Sequence, residues 1–241
     1  FPFVTLITAF ANLFGLGGAP LCAMARGKGN REGAQGIMVN AGFMLLLSGA
    51  VLTVLGIAFH RPLLYLFGAS EVTYPYASSY IVIYLLGTLC VMLSLGLNPY
   101  INCQGFARTG MLTVALGAAA NIVLDPIFIF ALHLGVRGAA IATVLSQFLS
   151  AAWVVKFLTG KKAELKLDFR GFCPDWQCIQ RITVLGIASF VMSFTDMLVQ
   201  VACNSMLRGF GGDLYISVMT VLNSVRQIAQ TPVLAIADGA S

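Results

Sequence analysis

Three carboxylates stand deep in apolar stretches of this 241-residue sequence: Asp125, Asp196 and, near a helix end, Asp238. A charge at the centre of a membrane-spanning helix costs about 2.5–3.5 kcal/mol even on the lenient insertion scale, so each needs a partner or a purpose. Asp125 has the richest surroundings. Asn121 precedes it by four residues and shares its helical face, which sets an amide oxygen beside a carboxylate. Pro126 removes a backbone donor and favours a kink that bares carbonyls to a cation. A partly desolvated carboxylate in that setting takes up either a proton or a sodium ion, and the two compete for it. The plain structural alternative is that Asp125 bonds Asn121 and a neighbouring helix to hold a bundle together.

A second set of polar residues lies further along. Asp196 precedes Arg208 by 12 residues and Arg226 follows Asp213 by 13, so a chain that turns back over 208–214 brings Asp196 and Arg226 to the same depth. Two readings stay open: a buried ion pair in which each charge answers the other's desolvation, or a contact for substrate or proton. Gln200 with Asn204, and Asn223 with Gln227, are i, i+4 pairs suited to a central cavity.

The elements that must position these residues follow from composition. Hydrophobic residues make up 59% and charged residues only 10%, against ~25% charged in a soluble domain, so an all-α polytopic membrane protein is expected. The mean hydropathy of +0.89 points the same way. Seven segments are long and apolar enough to span, near 1–25, 34–59, 78–101, 111–132, 139–158, 182–207 and 215–238. Alternation over ~10 residues, the mark of barrel strands, is missing. Between the fourth and fifth segments Gly135-Val-Arg-Gly138 makes a tight turn, whereas Pro62–Phe67 in the longer 60–77 connection suits a short interfacial helix. His60 and His133 read as interfacial residues at outer helix ends.

Positive charge sets the orientation. The connections 26–33, 102–110 and 159–181 carry Arg26, Lys28, Arg31, Arg108, Lys161, Lys162, Lys166, Arg170 and Arg181, with Lys156 just before the last, while 60–77, 133–138 and 208–214 carry one arginine each. The first set is expected to be cytoplasmic. The net charge of +5 is therefore a topology signal and implies no nucleic-acid partner. The 159–181 connection, the longest and most charged, divides the chain into five spans (1–158) and two (182–241). The six cysteines read as free thiols.

Several phrases, in order along nearly the whole chain, resemble the multidrug and toxic compound extrusion (MATE) family of secondary transporters. They are Gly17-Gly18-Ala-Pro20 leading into Ala25-Arg26-Gly27-Lys28-Gly29, Pro99 near Gln104-Gly105 and Arg108-Thr-Gly110, Asn121-Ile-Val-Leu-Asp125-Pro126, Gly135-Val-Arg-Gly138 through Thr143 to Gln147, and Gly211-Gly212-Asp213. The resemblance implies two helical lobes. On that template 1–158 holds helices two to six of the first lobe, 159–181 is the cytoplasmic inter-lobe linker, and 182–241 holds the first two helices of the second. The chain is then an excerpt, truncated at both ends, and a further family aspartate belongs to a helix before residue 1. The resemblance also implies a first-lobe cation site that maps onto Tyr80, Asn121, Asp125 and Thr143. Depth along the helices places Tyr80, Asp125 and Thr143 in the outer half of the bundle.

What the resemblance implies for function is export of organic, often cationic, compounds by antiport with H+ or Na+, from a monomer in the plasma or bacterial inner membrane, with no cofactor beyond the coupling ion. Some family members carry a glutamate on helix seven where this chain has Ser193. Within transport, a lipid-linked sugar flippase is the alternative, but it is expected to line its cavity with basic residues, and here Arg226 is the only central one. An intramembrane enzyme would need a nucleophile or metal constellation, and the sequence contains neither G-x-S-x-G nor H-E-x-x-H. A channel would show repeated filter segments.

Overall fold

The structure, a computed structural model, describes residues 2–67, 69–169 and 173–240, with the backbone alone for 208–213, 216 and 231–240. In an apolar medium the backbone must satisfy its own N–H and C=O groups, and helix does so within each segment. The chain accordingly runs through α1 (Pro2–Gly27), α2 (Arg31–Leu66), α3 (Tyr74–Leu86), α4 (Thr88–Cys103), α5 (Ala107–Pro126) with a π turn over Ile127–Ala131, α6 (Gly135–Thr159) and α7 (Trp176–Ala240). No strand occurs among the described residues. Of these, α1, α2, α5 with its π turn, α6 and the Trp176–Leu207 part of α7 are long and apolar enough to span a membrane, and α3 with α4 is so only when the bent pair is taken together.

Three elements differ from the sequence-based expectation. The span expected at 78–101 is split at Gly87, where the axis bends by 56°. Val144 of α6 packs there, and a Cβ on Gly87 would lie 2.6 Å from its Cγ2, so the bare backbone admits the neighbour. The short helix expected at Pro62–Phe67 is present through Leu66, but it is joined to α2 across a kink at Phe59 (φ −110°, ψ 16°) rather than separate from it. The turn expected over 208–214 is replaced by continuous helix from Trp176 to Ala240. Glycine weakens a helix by only about 1 kcal/mol and does not by itself stop one. Sharp reversal needs a partner for the returning segment, and among the described residues α7 packs only on α1 and α2.

The bundle is organised around α1, which packs against α2, α4 and α7. Helices in lipid gain no hydrophobic drive toward each other and associate by close approach at small residues. A Cβ on Gly15 would sit 2.8 Å from the carbonyl oxygen of Gly96 in α4, and one on Gly17 would sit 2.8 Å from Cα of Gly186 in α7. Around these contacts Ile7, Met38, Leu45, Leu97, Tyr100 and Ile182 are fully buried. The Tyr100 hydroxyl, inside that core, donates to the carbonyl of Phe14 at 2.8 Å.

The three basic connections meet at one end of the bundle. Arg26 at the end of α1 donates to the carbonyl of Cys103 at 2.9 Å and pairs with Glu164 at 2.8 Å. Gln104, 2% exposed, accepts from the Leu165 N–H at 3.0 Å and donates to the Tyr100 carbonyl. Leu165 and Leu167 are buried, so the charged connection is tacked onto the bundle by its apolar residues. Asp175 is the N-cap of α7, its Oδ1 accepting from the N–H groups of Gln177 and Cys178 at 3.0 and 3.3 Å. This cap starts α7 at Trp176, six residues ahead of the expected 182. The described cysteines are free, with the sulfurs of Cys22 and Cys103 3.5 Å apart.

The close approaches give a test of packing. Gly15→Leu and Gly186→Leu each force helix axes apart and are expected to lower stability by about 1–3 kcal/mol, the usual cost of overpacking. Gly36→Leu, where an added Cβ meets nothing within 4 Å, is the control and should melt like wild type in a detergent thermal-shift assay.

Candidate functional site

α5 and α6 run antiparallel from the basic end and back, and α4 packs against both. Their shared faces carry side chains that no lipid-facing surface would hold. Ser94 and Asn98, one turn apart on α4, meet Thr113 and Asn121 of α5 and Thr143, Ser146, Gln147 and Ser150 of α6 around a cavity of about 270 Å³. Buried polar groups need partners, and most of these have them. The Ser94 hydroxyl lies 2.7 Å from Gln147 Oε1, and the Ser150 hydroxyl donates to the Thr113 carbonyl at 3.1 Å. Asn98 is the exception: its Oδ1 is shielded from solvent and has no protein partner, although it belongs to the cavity wall.

At the end of this cavity away from the basic connections the four residues singled out from sequence come together. Asn121 Nδ2 lies 3.4 Å from Asp125 Oδ1, as their i, i+4 spacing on α5 requires. Thr143 sits on the facing turn of α6, its hydroxyl bonded to the Ala139 carbonyl at 2.9 Å. Tyr80 comes from α3, which packs on α6, and lies in the neighbourhood of Thr143 and Asp125. All four side chains are half-buried. Tyr80 is held by stacking on Tyr84, with ring centroids 6.1 Å apart.

Local backbone chemistry shapes the site. Pro126 has no N–H to give to the Ile122 carbonyl, and immediately after it the helix widens into the π turn Ile127–Ala131. Leu132 N–H closes this turn on the Ile127 carbonyl at 2.9 Å, and His133 ends it in the left-handed region at φ 51°. Gly138 of α6 lies directly against the turn; a Cβ there would be 2.6 Å from the Phe128 carbonyl oxygen. The expected kink is thus a change of helical pitch immediately after Asp125 and Pro126.

The second set of residues is placed elsewhere. Asp196 and Arg226 lie on one continuous helix, 30 residues or about 45 Å apart, so the ion pair that a hairpin would make is not formed. Gln200, Asn204, Asn223 and Gln227 are strung along the same helix, and Asn204 reaches the Phe67 carbonyl at 3.4 Å. Among the described residues α7 does not pack on α5 or α6, so none of this set joins Asp125. The side chains of Arg208, Asp213 and Asp238 lie outside the described residues. Sequence reading missed Ser94, Asn98 and Gln147. The signal was available as a polar face at helical spacing in each segment, although spacing within a segment does not say which segment faces which.

Comparison with known proteins matches residues 1–127 to the family model described as MatE. The Multidrug export protein MepA of Staphylococcus haemolyticus (strain JCSC1435) is 27% identical over 210 residues, which covers 87% of this chain and 46% of that protein. The protein of the same name from Staphylococcus aureus (strain MRSA252) is 22% identical over the same share of this chain and 47% of its own. Among solved structures, the inward-facing conformation of a multidrug resistance MATE family transporter of the MOP superfamily superposes with a TM-score of 0.92 at 27% identity, covering 98% of this chain and 54% of that one. The outward-facing conformation of such a transporter gives 0.86 at 28% identity, covering 98% and 53%. The chain spans about half the length of the curated relatives it matches.

The Ser94–Gln147 bond joins α4 to α6 across the cavity, and its worth can be measured. Ser94→Ala and Gln147→Ala together are expected to destabilise by less than the sum of the single changes, with a coupling of about 1 kcal/mol in unfolding experiments in detergent.

Proposed function

The chain belongs to the MatE family, and on that premise we propose that this protein is a secondary active transporter that exports organic, often cationic, compounds in exchange for H+ or Na+. The observation that carries the proposal is the convergence of Tyr80, Asn121, Asp125 and Thr143 from three helices at the end of a polar cavity. One carboxylate ringed by neutral oxygens suits a small hard cation or a proton. Occupation of such a site biases the inward-to-outward equilibrium only by the difference in affinity between the two states. The cavity beside it offers hydroxyls, amides and apolar surface, and no lysine or arginine among its lining residues. That lining favours an organic cation over the phosphate of a lipid-linked sugar. The names of the MepA relatives, multidrug export proteins, point the same way.

The orientation we propose puts the basic end in the cytoplasm. Its support is the gathering of the 26–33, 102–110 and 159–181 connections at one end of the bundle. Asp196, Arg226 and the amides of α7 are proposed as contacts of substrate or of further elements in the complete transporter.

Efflux of a fluorescent organic cation from cells expressing the full-length protein tests the reading. Asp125→Asn is expected to insert and fold yet to abolish ion-driven efflux, and full efflux by that variant would overturn the assignment. Tyr80→Phe and Thr143→Val each remove one oxygen and should weaken apparent cation affinity by about tenfold. Collapsing the sodium and proton gradients separately names the ion. For orientation, exposed Cys173, kept as the sole cysteine, should resist a membrane-impermeant maleimide in intact cells and react after permeabilisation.

A further inference from the structure

On the other side of the α5–α6 contact from the polar cavity lies a second, larger concavity. Thr113, Gly117 and Asn121 border the polar cavity, and Leu116, Ala120 and Leu124, further round α5, form one wall of a groove of about 610 Å³. Leu149, Ala152 and Trp153 of α6 form the other wall, and Lys156 closes its end. The alanines make it a groove: methyl side chains at Ala120 and Ala152 leave space between two helices whose neighbouring positions carry leucine and tryptophan.

The groove has nearly the length of one leaflet and a basic rim at one end. From Leu116 to Leu124 it runs eight residues, about 12 Å along the helix, close to half of the ~30 Å hydrocarbon core. Its only charged lining residue is Lys156, three residues from the end of α6 and therefore at the basic end. Arg108, eleven residues or three turns before Ala119, lies on the same face of α5 and extends the positive charge toward that end. Both side chains are exposed, and neither is paired with a carboxylate among the described residues. Trp153 sits one turn deeper than Lys156, an amphipathic ring between the apolar groove and the charged rim. Phe106 and Phe157, edge to face at 5.1 Å, fix the two helix ends to each other, so the rim is a built feature.

We propose that this groove is a binding site for an anionic phospholipid, with an acyl chain lying between α5 and α6 and the headgroup phosphate held by Lys156 and Arg108. Basic pockets between spanning helices hold anionic headgroups by this combination of charge and apolar contact. A zwitterionic lipid fills the groove equally well but gains less from the rim. The site faces away from Asp125, so the proposal stands or falls separately from the transport reading.

Native mass spectrometry of the full-length protein, delipidated in detergent and titrated with palmitoyl-oleoyl phosphatidylglycerol or phosphatidylcholine, tests this. Wild type is expected to retain phosphatidylglycerol in preference to phosphatidylcholine. Lys156→Ser and Arg108→Ser should each weaken phosphatidylglycerol retention by about fivefold and leave phosphatidylcholine unchanged. Ala120→Phe with Ala152→Phe fills the groove and should lose both lipids; if that variant does not fold, the serine variants still decide. Equal retention of the two lipids by wild type, unchanged retention by the serine variants, or no retained lipid at all, as when protein covers the groove, each overturns the proposal.

Discussion

The dominant constraint on this molecule is that polar groups inside an apolar medium must find partners within the protein. Helix answers it for the backbone. For side chains the answer is a division of faces on each helix, and α5 shows it most clearly: one side presents Thr113 and Asn121 to α4 and α6, the other presents leucine and alanine outward. The polar cavity exists because three helices pool hydroxyls and amides that would each be costly alone. Ser94 answers Gln147, and Ser150 answers the Thr113 carbonyl. Asn98 keeps an unanswered oxygen beside them, a desolvated acceptor that a ligand or water can satisfy.

The same constraint explains the use of irregular backbone. The structure departs from straight α-helix at Phe59, at Gly87 and over Ile127–Ala131, and the last two flank the Asp125 cluster. The break at Gly87 separates the half carrying Tyr80 from the half carrying Ser94 and Asn98, so one span contributes to two walls. The π turn after Pro126 is closed by the Leu132 N–H on the Ile127 carbonyl. Both devices lie where α6 crosses, against Val144 and Gly138, and both crossings are tight enough that a Cβ on the glycine would clash.

Much of this was legible in the sequence, and the reasons are specific. Hydropathy located the spans because a lipid-facing helix has to be apolar over its whole length. The i, i+4 spacing of Asn121 and Asp125 carried over directly, since helix geometry alone fixes that pair. The break at Gly87 was not legible: a single glycine in an apolar run looks the same whether or not a valine from 57 residues away packs against it. The start of α7 was legible but overlooked, as Pro174-Asp175 ahead of Trp176 is an N-cap signal inside a segment read as linker. The reversal expected from Gly211-Gly212-Asp213 shows the opposite limit. Turn-favouring residues permit a reversal, and packing decides whether it occurs.

The connection between α6 and α7 looks from its charge like a loose tether, yet it is fastened at both ends to the same bundle. Leu165 hangs from Gln104, Glu164 is clasped by Arg26, and the Asp175 N–H is held by Asn40 Oδ1 at 3.0 Å on α2. The consequence is kinematic. With its first turn fixed at Asn40 and its side pressed on α1 through Gly186, α7 has no freedom to drift as a separate body. Held at two separate points, Asp175 and Gly186, the start of α7 moves with α1 and α2 as one piece.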